Sequence, residues 1–151
     1  MEKVNKILLV HHGHTASTGE YFDSMCYEAN LKGFLSVILI RRGMSGNPLL
    51  TPLAFTHDIS EDVQEAIEFL QKRFNNPSFY SAGFSMGGNR LIKYAGLTKD
   101  KCPFKAIVSM GTPFYPKFTS FTMINPEKSF YNYGATLNLK NHIRDNYDLL
   151  K

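Results

Sequence analysis

No run of roughly 18 consecutive apolar residues occurs anywhere in the 151-residue chain, so the sequence offers no transmembrane helix. It shows no charged, apolar and small-residue leader either, from which a cytoplasmic location is expected, with membrane association left open. Cysteine is scarce: Cys26 and Cys102 stand in unrelated contexts, without CxxC or zinc-type spacing, and read as free thiols. An Asn-x-Ser/Thr acceptor is missing because Asn76-Pro77-Ser78 is blocked by its proline, which fits an intracellular chain. Basic runs alternating with aromatics are absent too. The formal charge of +4 and pI near 9.0 therefore give no nucleic-acid footprint, and no nucleic-acid partner is expected. No second cluster joins His11, His12 and His14 to complete a coordination shell, so no metal is expected. The glycine-rich turn at Gly83 to Asn89 lacks both a phosphate-loop lysine and a GxGxxG spacing, which argues against nucleotide binding and leaves no expected cofactor.

What is present is enough apolar material for a real core, 43% hydrophobic and 13% aromatic, in a length suited to one compact domain. The rest of the chain is organised around Phe79-Tyr80-Ser81-Ala82-Gly83-Phe84-Ser85-Met86-Gly87-Gly88-Asn89, which reads as strand, sharp turn, helix. Gly83-x-Ser85-x-Gly87 is the nucleophile-elbow pattern: small residues on either side let the backbone pass closely enough to hold Ser85 in a strained turn. The Met86 N–H and the dipole of the following helix would then face a developing oxyanion. The competing reading is a glycine-rich turn carrying an ordinary serine.

Context favours the elbow. Lys6 to Val10 suits a buried strand ending in His11-His12-Gly13-His14, and Leu35 to Ile40 suits a second. Between them, Glu20 to Lys32 has helical spacing, with Gly33 placed for a left-handed cap. Ile59, Val63, Ile67, Leu70 and Phe74 trace one helical face from about Asp58 to Phe74, with Asp58 and Glu61 as an acidic capping pair. The elbow helix is expected to run to about Tyr94 and close at Gly96, and Phe104 to Met110 reads as a fourth strand. This alternation predicts an α/β fold, a parallel sheet with helices on both faces. Ligands sit at the carboxyl ends of such strands, where His12, the Arg42 loop, Ser85 and Thr112 all emerge.

Leu9-Val10-His11-His12-Gly13, Gly33-Phe34, Arg42-Gly43, the elbow through Asn89 and Lys93-Tyr94 together resemble the alpha/beta-hydrolase superfamily. The pattern is similar to the subgroup containing monoacylglycerol lipases and short-chain carboxylesterases. By that resemblance Ser85 is the nucleophile, and Met86 with His14 supplies the oxyanion hole. His12, Gly13 and Gly87 belong to the binding site, and residues 1–113 form a partial hydrolase core with 114–151 the start of a helical lid. The implied partner is a small-molecule ester or lipid, and the Phe- and Tyr-rich stretch from Phe114 to Tyr133 would cover an acyl chain. Peripheral membrane contact is left open.

The same resemblance places an acid and a histidine after later strands, in the order serine, acid, histidine. After Ser85 this chain has one histidine, His142, with Asp100 and Glu127 as the acids between, none of them after a credible strand. His142 is expected to be solvated on the lid helix. His57 reads as support for a helix start ahead of a substitute base, and Arg42 as a loop-holding residue. Two functions stay open: a serine hydrolase of carboxylic esters acting through Ser85, or a catalytically incomplete fragment that binds lipids or partners. A sheet that stops near Ile107 would leave an apolar edge inviting self-association.

Overall fold

The computed structural model describes residues 4–14, 19–53 and 61–151. Its order is β1 (Lys6–His11), α1 (Glu20–Leu31), β2 (Leu35–Leu39), α2 (Glu61–Arg73), β3 (Ser78–Phe84), α3 (Met86–Thr98), β4 (Phe104–Met110), α4 (Pro116–Met123), α5 (Ser129–Asp145) and α6 (Tyr147–Leu150). The chain divides into two compact units, one of residues 1–40 and 56–112, the other of residues 41–55 and 113–151.

The first unit is a four-stranded parallel sheet in the order β2-β1-β3-β4, the α/β arrangement the alternating pattern predicts. Pairing of Ile7 with Phe79 and of Leu9 with Ser81 puts Ile7, Leu9 and Phe79 on one face. On that face they meet Val63, Ile67 and Leu70 of α2, Leu91 and Tyr94 of α3, and Phe104 of β4. The expected stripe on α2 therefore faces the core from Val63 onward, while Ile59 and the Asp58 cap lie outside the described residues. The Ser81 hydroxyl would be costly in this setting, and it donates to the Leu9 carbonyl at 2.7 Å. Tyr94 reaches across to α2, its hydroxyl donating to the Gln64 side chain. Burial, followed by Cys102 and Glu68, pushes its phenol up.

The opposite face is covered by α1, where the Phe22 ring meets Phe84 edge-on. Phe34, just before β2, meets Tyr80 in the same way. Gly33 at φ 78 ends α1 as expected, with the Phe34 N–H bonded back to the Ala29 carbonyl at 3.1 Å.

Two expectations need correction. Gly96 does not close α3, which continues to Thr98; a Cβ at Gly96 would meet nothing within 4 Å, so this glycine sits in an open helical turn. His142 is not solvated: it is 8% exposed on α5.

Among the described residues β4 pairs only with β3, and a register shift between Phe79 and Tyr80 places Lys105 out of step. Val108 stands 55% exposed on this outer strand. The core has a simple test within one helix. Leu91→Ala removes a fully buried side chain and should cost about 2–5 kcal/mol, whereas Leu97→Ala, at a mostly exposed position, should change stability by less than about 0.5 kcal/mol in urea unfolding.

Candidate active site

Ser85 joins β3 to α3 with φ 52 and ψ −120, dihedrals that cost a non-glycine residue on the order of 1–3 kcal/mol. Lys99, at the other end of α3, has nearly the same values, φ 49 and ψ −123. Strain by itself therefore does not single out Ser85. What does is the packing beneath it.

A Cβ on Gly83 would stand 2.5 Å from the Gly88 Cα and 2.6 Å from its nitrogen. One on Gly87 would stand 2.6 Å from the carbonyl oxygens of both His11 and His12. One on Gly88 would collide with the Thr112 and Ser109 hydroxyls. The first turn of α3 is thus pressed against the ends of three strands at once, and side chains would hold it off. The turn itself is fastened by the Ser85 N–H donating to Met110 of β4 at 2.8 Å, while Asn89 N–H donates to the Ser85 carbonyl at 3.2 Å. Among the described residues these main-chain bonds are the hydrogen bonds that Ser85 makes, and its side chain is exposed.

The loop after β1 closes on the same point. A Cβ on Gly13 would lie 3.2 Å from Ser85 Cβ and 3.9 Å from Oγ, so only a hydrogen leaves the loop at this distance without displacing a neighbour. The His12 ring is buried, and its Nδ1 is 2.9 Å from the Gly13 carbonyl oxygen. His14 follows half-buried, and Met86 is buried at the first position of α3. Ser85, Gly13 and the elbow glycines are therefore brought together with His12 at the carboxyl ends of β1 and β3. The helix dipole of α3 places its positive end behind Ser85, and no acidic residue in its first turn offsets it.

Sequence reasoning left Gly88 and the hydroxyl pair without roles. Ser109 and Thr112 hydrogen-bond each other across the end of β4 and occupy the space that a Gly88 side chain would need. The doubled glycine after the serine was the available signal. His57 lies outside the described residues. His142 and Arg42 belong to the second unit, where a Cβ on Gly43 would stand 2.8 Å from His142 Cε1.

A parallel sheet with a serine in a left-handed turn after its third strand, backed by glycines at both flanks, is a family-level arrangement, and residues 6–142 match the family described as alpha/beta hydrolase fold. The chain belongs to the alpha/beta hydrolase family. A monoacylglycerol lipase of Saccharomyces cerevisiae is 27% identical over 150 residues, covering 96% of this chain and 33% of that protein. Phospholipase ABHD3 of Bos taurus is 28% identical over 133 residues, covering 87% of this chain and 32% of its own length. The chain thus spans about a third of these relatives. An extracellular alpha/beta-hydrolase from a Paenibacillus species shares the fold at a TM-score of 0.50 and 20% identity, over 72% of this chain and 40% of that one.

The contacts within α3 predict opposite results for two glycines of one hydrolase helix. Gly87→Ala should destabilise by about 1–3 kcal/mol, since backbone carbonyls must move. Gly96→Ala should be neutral or stabilise by up to about 1 kcal/mol. Thermal unfolding of the two variants measures the difference.

Proposed function

We propose that this chain carries the nucleophilic half of a serine hydrolase acting on carboxylic esters, with acyl transfer through Ser85. The observation that carries the reading is the convergence of Gly13 on an exposed, conformationally strained Ser85. In this reading Ser85 Oγ attacks the ester carbonyl, and the carbonyl oxygen takes up the negative charge. The N–H groups of Met86 and His14 donate to it, one from the start of α3 and one from the loop after Gly13. Gly87 and Gly13 keep those two backbones close, and His12 holds the peptide that follows it by its bond to the Gly13 carbonyl. The alcohol leaves, and water releases the acid from the acyl-enzyme. Lipid esters are the favoured substrate class, in keeping with the names of the monoacylglycerol lipase and phospholipase relatives. Residues 114–151 are read as the start of a helical lid region.

A second reading rests on a specific feature. Among the described residues none hydrogen-bonds Ser85 Oγ as a general base would. On that reading the chain binds ester or lipid and turns it over poorly.

One experiment separates the two. Wild type and Ser85→Ala are incubated with p-nitrophenyl esters and with a fluorophosphonate probe, and the labelled peptide is identified by mass spectrometry. Little labelling at Ser85, ester turnover no more than about 10³–10⁴ above the uncatalysed rate, and little change in Ser85→Ala are the expected results for a nucleophile without its base. Fast turnover lost in Ser85→Ala would instead establish a complete catalytic set in these residues. Labelling elsewhere would remove Ser85 from the mechanism.

We also read the β4 edge as a surface for self-association, because its ladder groups have no described partner and Val108 is exposed there. Val108→Lys should raise the monomer fraction on a sizing column.

A further inference from the structure

The residue before Ser85 is gripped from the far side of the sheet. Phe84 ends β3 on the face opposite α3, and two rings from the first turn of α1 close on it. The fully buried Phe22 meets it edge-on with ring centroids 5.1 Å apart, and Tyr21 meets it at 5.0 Å with 67° between the planes. Tyr21 also lies against Phe22, at 4.0 Å and 35°. Three rings thus form one cluster, and Phe84 is joined to Ser85 by a single peptide bond. Edge-on pairs fix direction as well as contact, because the positive rim of one ring meets the negative face of the other.

Tyr21 differs from Phe22 in what lies on its other side. A Cβ on Gly19 would stand 4.0 Å from Tyr21 Cε1, so the ring is folded back over the last residue before α1. The Gly19 carbonyl accepts from the Phe22 N–H at 2.9 Å and from the Asp23 N–H at 3.1 Å, which fastens it to the same turn. Where the chain leaves β1, a Cβ on Gly13 would stand 3.2 Å from Ser85 Cβ. The two glycines therefore rest on consecutive residues of the elbow, Gly13 on Ser85 directly and Gly19 on Phe84 through the Tyr21 ring. At 49% exposed, Tyr21 adds little to a core that Phe22 already fills, so filling space does not account for its place. Burial pushes its phenol up, and the ring stays neutral in this contact.

We propose that Tyr21 is a positioning residue for the oxyanion side of the site: by bridging Gly19 to Phe84 it holds the His14 N–H at the distance from Ser85 that Gly13 sets. The use of that N–H rests on the hydrolase reading. The bridge itself stands on Gly19, Tyr21 and Phe84.

The test is amide hydrogen exchange of the full chain, read residue by residue by NMR, which needs no turnover. Tyr21→Ala loses two aromatic contacts and should speed exchange at His14 and Gly19 about five- to tenfold, while amides of β1, β3 and the interior of α1 keep their wild-type rates. Tyr21→Phe keeps the ring and should exchange as wild type does. Tyr27→Ala, at an exposed position of the same helix, should change nothing at His14 or Gly19. Ser85→Ala keeps the Cβ that Gly13 rests on and should also match wild type, so a failure of the nucleophile leaves this result standing. Unchanged exchange in Tyr21→Ala overturns the proposal, and so does Tyr21→Phe exchanging as fast as Tyr21→Ala. Exchange that rises equally through β1, β3 and α1 overturns it too, by making Tyr21 a general stabiliser. A wild-type His14 amide that already exchanges at the rate of an unstructured peptide has the same force.

Discussion

The first turn of α3 cannot lie where it does unless three of its neighbouring positions have no side chain. Gly83 and Gly88 face each other across the strand-to-helix junction, and Gly87 rests on the carbonyls of His11 and His12. This approach, closer than any Cβ allows, sets the rest. It brings β1 and its loop against the helix start and so lays Gly13 beside Ser85. The junction is a turn too tight for a relaxed residue, and Ser85 takes the strained dihedrals. The strain of roughly 1–3 kcal/mol is held by the ladder of β3 on both sides, by the Ser85 N–H bond to Met110, and by the core beneath α3. A serine here is exposed because the backbone leaves it no other direction.

The division of labour between the sheet faces follows from the same geometry. On the α3 face, large side chains at the amino ends of the strands, such as Ile7, Phe79 and Phe104, pack with Val63, Ile67 and Leu70 of α2 and Leu91 and Tyr94 of α3. Toward the carboxyl ends the residues shrink to Ser81 and Gly83 as α3 closes in. Arg90 of α3 is an uncommon guest so near a core. Burial pushes its guanidinium down, and Asp62 of α2 partly offsets that.

Much of this arrangement was legible from residue order alone, for reasons that can be named. A strand enclosed in the sheet writes itself as an apolar run, so Lys6–His11 stood out, and Phe104–Met110 has the same apolar composition although it lies largely exposed at the edge; right-handed crossovers left little choice of topology. The elbow was readable because it demands glycine at fixed spacing. Gly96 misled because a glycine late in a helical pattern resembles a cap, and nothing local tells an open helical turn from a left-handed one; Thr98 and the turn at Lys99 end the helix instead. His142 misled because polar residues on amphipathic helices are usually wet. Its burial depends on Gly43, a residue about a hundred positions away, and no periodicity within α5 carries that information. The Ser109–Thr112 pair was invisible for a like reason, since its role is to fill space beside Gly88.

The loop after β2 ties the second unit together from both ends of the sequence. Gly43, at φ 68, lies so close to His142 on α5 that a Cβ would stand 2.8 Å from its ring, and Asn146 closes the same spot by donating to the His142 carbonyl at 2.9 Å. During synthesis residues 41–55 leave the ribosome about sixty residues before the segment 113–151 with which they pack. In that interval β1 and β2 can pair and β3 and β4 can join them while residues 41–55 still wait for their partner segment. The second unit is therefore the later of the two to have all its residues available, and a chain arrested near Thr112 would hold all four strands of the described sheet but only the first segment of the second unit.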